Sequence, residues 1–256
     1  MLADFIRYLE AERRYSPLTV RNYRRDVENF MAWLGTDDAR FDPREVTVGH
    51  IREWIIFRAE QGGIGAATMN RELSSLRTLF RWLHRTGAVD KDVLRPLASL
   101  KTSRRLPAFV PESRMSAIVS ECGFDSDEFL TERNSLAVLL FYSCGLRLAE
   151  LVGIARDDLS ADGTSLRIRG KGDKERMVPI LEEVRDKIRH YLRVIERQKI
   201  CKSQEKALFL TQQGKRISRT TVYRLVQDEL TRAGVQGKKS PHVLRHTFAT
   251  HLMNGG

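Results

Sequence analysis

Apolar residues recur along the first third of the chain at the three- and four-residue spacing of amphipathic helices. Leu2, Phe5, Ile6 and Leu9 form a short stripe, and after the Ser16-Pro17 break a longer one runs through Val20, Tyr23, Val27, Phe30, Met31 and Leu34. Gly35 and Asp37-Asp38 mark a loop, after which Thr47 caps a third helix carrying Val48, Ile51, Ile55 and Ala59, ended by Gln61-Gly62-Gly63. A fourth helix runs from about Ala66 to Arg85, turns Leu73, Leu76, Leu79, Phe80 and Leu83 inward, and stops at Gly87. Four helices joined by short loops predict a small bundle over residues 1–100.

Residues 101–110 read as a linker, because Pro107 and Pro111 deny the segment a regular helix. Over 111–256 the pattern predicts a second domain. A helix follows Pro111, and a strongly apolar one runs from Leu136 to Cys144. From Ser165 the period changes to strict alternation, Leu166-Arg167-Ile168-Arg169 and Glu175-Arg176-Met177-Val178, which predicts a hairpin with glycine on both sides of Lys171. Helices then follow over Leu181–Arg197 and Ser218–Ala233, the first with Lys187, Arg189 and Arg193 on a solvated face, with a short apolar piece at Ala207–Leu210 between them. The last helix opens at Ser240, read as its cap, and Pro241, and carries Val243, Leu244, Phe248 and Leu252 inward. The fold class is mainly α with a small β-hairpin in the second domain.

Charge narrows the function. Lys and Arg number 44 against 33 Asp and Glu, a formal +11, and the pI is about 9.9. Such a balance suits a partner rich in phosphate, since basic side chains displace counterions from nucleic acid, although ribosome-like stickiness or a membrane surface also fits. Cys122, Cys144 and Cys201 are odd in number and scattered, which suits a reducing cytosol and speaks against a disulfide framework or a Cys-rich zinc site. Asp4 and Arg7 interrupt any N-terminal signal, and no apolar run reaches membrane length, so a soluble cytoplasmic protein is expected.

The candidate chemistry gathers at three places. His242 and Arg245 are three apart on the first turn of the last helix, where free N–H groups already favour an anion. His242 and His246 have the spacing of a metalloprotease helix, but Val243 stands where that chemistry needs Glu. Arg147 follows the chain break allowed by Gly145, with Glu150 one turn on and able to hold it. Lys171 sits at the hairpin tip; Gly170-Lys171-Gly172 lacks the Walker spacing and the Ser or Thr after Lys, so no ATP site is indicated, and the lysine can instead reach into a cleft and deliver a proton. On the fourth helix Asn70, Arg71, Ser74 and Arg77 share one side, either a solvated face or a helix laid into a DNA groove. Lys101, Arg104 and Arg105 carry no compensating acid, as an exposed connector or a segment running along a phosphate backbone would. Ser218, Arg219, Thr220 and Thr221 at a helix start can bind phosphate, although capping alone explains them.

Arg147 with Glu150, Lys171 between its glycines, and His242 with Arg245 occur in an order that resembles the tyrosine recombinases (phage integrase family), and within them the bacterial Xer group. The surroundings of Thr19, Tyr23 and Asp26, Asn70-Arg71, Gly145-Leu146-Arg147, Gly170 to Arg176 and His242 to Thr247 all match, so the resemblance spans the chain. It implies an N-terminal SAM-like core-binding bundle and a mixed α/β catalytic domain that clamp a double-stranded DNA recombination site, with homo- or hetero-recombinase partners in a tetramer. It further implies that Arg147 and Arg245 hold the scissile phosphate, that His242 assists proton movement, that Lys171 protonates the leaving 5′ hydroxyl and that Glu150 orients the site. No metal, ATP or other cofactor is implied, because a 3′-phosphotyrosyl bond stores the energy of the cut strand. The chain departs from the family at the nucleophile, which should follow the last helix. Tyr142, Tyr191 and Tyr223 lie in other contexts, and the expectation is a fragment that binds DNA without cutting it. Two other classes share the sequence features: a non-catalytic DNA-binding regulator and a type IB topoisomerase, the second disfavoured by the N-terminal bundle.

Overall fold

The structure, a computed structural model, describes residues 1–60, 64–102, 110–111, 115, 127–170, 174–200 and 204–254. The chain divides into two compact units, Met1–Arg105 and Leu106–Gly256. Helices dominate both, and among the described residues the strands make one two-stranded sheet, in the second unit.

In the first unit, α1 (Leu2–Arg7) passes into a wider π turn over Tyr8–Glu12, followed by α2 (Pro17–Trp33), α3 (Val48–Glu60) and α4 (Ala66–Arg85). The Ser16 hydroxyl accepts the Thr19 N–H at 3.3 Å with Pro17 in the first turn, and Thr47 Oγ1 accepts the His50 N–H at 3.2 Å, so both expected caps form. Phe5, Leu9, Phe30, Trp54, Leu73, Leu76 and Phe80 are fully buried. A charged network crosses this apolar core. Asp26 of α2 has no exposed surface; Arg71 binds it by an ion pair and Ser75 Oγ donates to it at 2.8 Å, while Arg58 of α3 grips Glu72 at 2.7 and 3.1 Å.

Residues beyond α4 return along it, and here the picture of its polar face changes. The Asn70 amide donates to the Leu100 carbonyl at 2.9 Å and accepts the Leu100 N–H at 2.8 Å. Arg77 donates to the Leu97 carbonyl at 3.0 Å and to Ser99 Oγ at 3.3 Å. An extended segment has no ladder of its own, so side chains of α4 satisfy its backbone. Asn70 and Arg77 are therefore brackets for residues 97–100, and Arg71 is tied to Asp26, where a solvated or groove-facing stripe was expected. Ser74 alone of the four is exposed.

The second unit is built around α5 (Glu128–Cys144), in which every residue from Ser135 to Phe141 is buried. Asp127 caps it through the Phe129 N–H at 2.9 Å, and Gly145 ends it in the left-handed region at φ +57°. After α6 (Leu148–Gly153) come β1 (Ser165–Arg169) and β2 (Glu175–Pro179), antiparallel with Arg169 opposite Glu175. Leu166 and Ile168 face the core, as the alternation predicts. The hairpin tip with Lys171, Arg104 and Arg105 of the linker, Cys122, Cys201 and the helix expected after Pro111 (apart from Met115) lie outside the described residues.

The remaining helices are α7 (Glu182–Arg197), α8 (Arg219–Arg232) and α9 (Pro241–Asn254). Ala207–Leu210 is buried, and Ser218 caps α8 by accepting the Thr221 N–H at 3.0 Å. Two expectations are corrected. Lys187 does not stand on a solvated face but pairs with Glu132 of α5 at 3.3 Å, because α7 packs along α5 and brings the two stems together. Ser240 does not cap α9 through its hydroxyl: its carbonyl accepts the Val243 N–H at 2.9 Å, while its buried Oγ has no hydrogen-bond partner among the described residues. Among the described residues no helix is long and apolar enough to cross a membrane.

Candidate phosphate-binding site

The site begins where α5 stops. Gly145 turns the chain, Arg147 takes the extended conformation that precedes a helix, and α6 starts at once. Glu150 is the third residue of α6 and reaches back, its Oε2 accepting the Arg147 N–H at 2.9 Å and its Oε1 accepting the Arg147 guanidinium at 2.7 Å. The sequence expectation that Glu150 holds Arg147 is met twice over, through backbone and side chain.

Arg245 enters from α9 and donates to the Gly145 carbonyl, with Nη1 3.9 Å from Glu150 Oε2. Residues separated by about a hundred positions therefore meet within one turn of chain, 145–150. The Arg147 side chain is 53% exposed and that of Arg245 34%, so both keep donors toward solvent while Glu150 is buried beneath them. Burial and the neighbouring Arg147 charge push the Arg245 guanidinium below its ordinary range, against the pull of Glu150. A like-charged pair held this close is relieved by an anion, and two guanidinium groups match the oxygens of a phosphate.

The partner that sequence reasoning did not assign is Arg176. From β2 it forks onto Glu150, Nη1 to Oε1 at 3.0 Å and Nη2 to Oε2 at 2.8 Å. Strand alternation put Arg176 on one face of the hairpin, but only the register of β2 against β1, and the approach of α6 to β1, says what lies under that face. Burial acts to raise the Glu150 carboxyl, yet the hydrogen bonds from Arg176 and from the Arg147 backbone and side chain outweigh it and hold the group at about 2, against an ordinary 4.5.

This depression has a definite consequence for acid stability. A lowered carboxylate pKa stabilises the folded state fully above about 4.5, and the contribution disappears as pH falls toward about 2. Its size is roughly 3 kcal/mol. Urea unfolding of the wild type and of Glu150→Gln should therefore show the wild type ahead near neutral pH and the difference shrinking through that acid window. A difference that stays constant from about pH 6 to about pH 2 rules the linkage out.

His242 lies one turn before Arg245 on α9, is exposed, and has no side-chain hydrogen bond among the described residues. Lys101 and Arg219 are exposed, and Ser218 and Thr221 are engaged with each other in capping α8. Of the tyrosines in this unit, Tyr142 shares a hydrogen bond with His251 Nδ1 at 3.1 Å, Tyr191 is fully buried and accepts the Leu210 N–H at 3.3 Å, and Tyr223 is partly exposed on α8. Among the described residues no three His, Cys, Asp or Glu side chains are grouped to hold a metal ion.

Residues 109–256 match the model of the phage integrase family, and residues 2–87 that of the phage integrase N-terminal SAM-like domain. Tyrosine recombinase XerD of Lacticaseibacillus casei is 31% identical over 256 residues, covering 100% of this chain and 85% of that protein. Tyrosine recombinase XerC of Rhodospirillum centenum is 33% identical, covering 98% of this chain and 74% of the relative. Among solved structures, a post-cleavage complex of the XerH site-specific recombinase with a palindromic difH substrate aligns over 100% of this chain and 74% of that one. Its TM-score is 0.76 at 19% identity, a likeness of fold.

Proposed function

The chain belongs to the phage integrase family as an Xer-like tyrosine recombinase homologue, and we propose that it acts in site-specific recombination of double-stranded DNA, with Arg147 and Arg245 gripping the scissile phosphate. The observation that carries this reading is the Glu150-braced Arg147 set beside Arg245 in a protein of formal charge +11. In the reaction a tyrosine oxygen attacks phosphorus, the 5′ oxygen leaves, and the strand is held as a 3′-phosphotyrosyl ester until a 5′ hydroxyl reverses the step. The two arginines offset charge that grows on the non-bridging oxygens. His242 hydrogen-bonds the same phosphate, and Lys171 gives its proton to the departing 5′ oxygen. The ester conserves the bond energy, so the proposed chemistry uses neither metal nor ATP.

Duplex contacts fall to Ser74, Lys101, Arg104, Arg105 and Arg219, with Asn70, Arg71 and Arg77 acting chiefly by holding the surface that meets DNA. Partner recombinases complete a tetramer on the paired sites, and the place of action is the cytoplasm. We assign the nucleophile's role to none of the six tyrosines, so this chain by itself binds a site and leaves it intact. That placement of tyrosines also favours a second reading, a DNA-binding regulator without cutting. Retention of Glu150 together with both arginines speaks for the enzyme, since binding alone has little need of a braced guanidinium.

One experiment addresses both halves. Duplexes selected from a random pool should bind with an affinity that falls steeply with salt, as expected when several phosphates are neutralised. A nicked suicide version of the selected site should yield no adduct that survives denaturation. Salt-independent binding contradicts the DNA reading, and a denaturation-resistant adduct identifies a nucleophile within the chain.

A further inference from the structure

We propose that Arg176 is a positioning residue that cancels the charge of Glu150, so that this carboxylate braces Arg147 without capturing Arg245 or repelling the bound phosphate. The inference rests on the reading of the Arg147–Arg245 pair as a phosphate grip.

An ionised carboxylate close to both arginines is a liability at a site for an anion. Left to itself it attracts both guanidinium groups inward and opposes the ligand they are meant to hold. The geometry answers each difficulty. Glu150 offers two oxygens with about four acceptor positions. Arg147 fills two of them, at 2.7 and 2.9 Å, and the Arg176 fork fills two more, at 3.0 and 2.8 Å. Arg245 is left at 3.9 Å from Oε2, beyond a hydrogen bond, and donates to the Gly145 carbonyl instead. Arg147 spends one guanidinium nitrogen on Glu150 and keeps the others for a ligand.

The charge count follows from the same contacts. Arg147, Arg245, Arg176 and Glu150 together carry two net positive charges, and without Arg176 they carry one. Arg176 comes from the hairpin, so the strand that follows its tip also sets the electrostatics of the α6 carboxylate. A Cβ added at Gly170 would stand 3.6 Å from both Glu150 Oε1 and Arg176 Nη1, which places the hairpin backbone directly over this pair.

The test uses the whole chain and inorganic phosphate as the probe, followed through the arginine Nε–Hε signals of Arg147 and Arg245. Arg176→Gln should weaken phosphate binding about ten-fold. Arg176→Lys keeps the charge without the fork and should lose less than about three-fold. Arg169→Gln removes the same charge from the same hairpin, where Arg169 pairs with Glu175 at 3.0 Å, and should bind as wild type does. The decisive variant is Arg176→Gln/Glu150→Gln, which removes the charge to be cancelled and should bind phosphate more tightly than Arg176→Gln, while loss of the Arg147 brace keeps it short of wild type. A merely structural Arg176 predicts that the double variant binds no better than Arg176→Gln. That result overturns the proposal, as does wild-type affinity in Arg176→Gln or a ten-fold loss in Arg176→Lys. If phosphate moves neither arginine signal in the wild type, the phosphate site itself falls. If it moves both regardless of Arg176, only the present inference does.

Discussion

Gly145→Ala is expected to lower the unfolding free energy by about 3 kcal/mol and to weaken phosphate binding by the arginine that its carbonyl holds. Two effects add. Gly145 has φ +57°, a conformation that costs an L side chain about 1–2 kcal/mol. A Cβ there would also lie 2.5 Å from Cδ1 and 2.8 Å from Cε1 of Phe248 on α9, so the ring must move or the backbone must open. Overpacking of this kind costs about 1–3 kcal/mol, partly offset by the smaller entropy of the unfolded alanine chain. The second effect follows from Arg245, which donates to the Gly145 carbonyl and lies one turn from Phe248 on the same helix. Displacing Phe248 displaces the carbonyl and the arginine relative to each other. Urea unfolding with amide exchange of α5 and α9 should show the loss in both helices. A midpoint shift worth less than about 0.5 kcal/mol would mean that Phe248 yields freely and that the close approach has no energetic weight.

Arg71→Ala should act on stability before it acts on DNA. Asp26 is fully buried, with one oxygen bound by Arg71 and Ser75 and the other without a hydrogen bond among the described residues, though Arg25 approaches it at 3.7 Å. Removing the arginine strands a carboxylate inside the bundle, at a cost of about 3 kcal/mol. Trp33, Trp54 and Trp82 all belong to the first unit, so tryptophan fluorescence during urea unfolding reads this loss directly. Asp26→Asn in the same background should recover part of it, because the stranded charge is gone. If Arg71 instead reads DNA, the single variant keeps its stability within about 0.5 kcal/mol and loses affinity for duplex alone. The two outcomes are opposite in kind and cannot be confused.

Much of the fold was legible because local signals agreed with one another. Ser16-Pro17, Thr47, Gly87 and Ser218 bound helices whose apolar stripes face the two cores. Alternation on either side of Gly170-Lys171-Gly172 predicts the two strands, and Gly145 predicts a chain break at the point where the backbone takes φ +57°. Polar residues were harder to read, because their partners lie far along the chain. Asn70 finds Leu100, Arg77 finds Leu97, Lys187 finds Glu132, and Ser240 turns its hydroxyl away from the helix it was expected to cap.

Sequence alone determined which residues make helices, which glycines turn the chain, and which basic groups are candidates for holding a phosphate, since these depend on spacing, backbone freedom and residue type. Tertiary structure decided that Arg245 donates to Gly145 and that Arg176 shares Glu150 with Arg147. Neither bond has a local signature: each forms because packing of α9 on α5, and of the hairpin beside α6, brings charged groups from distant segments onto one buried carboxylate and one helix end. Once buried there, that carboxylate must be hydrogen-bonded and its charge balanced, and only the assembled fold supplies the groups that do so.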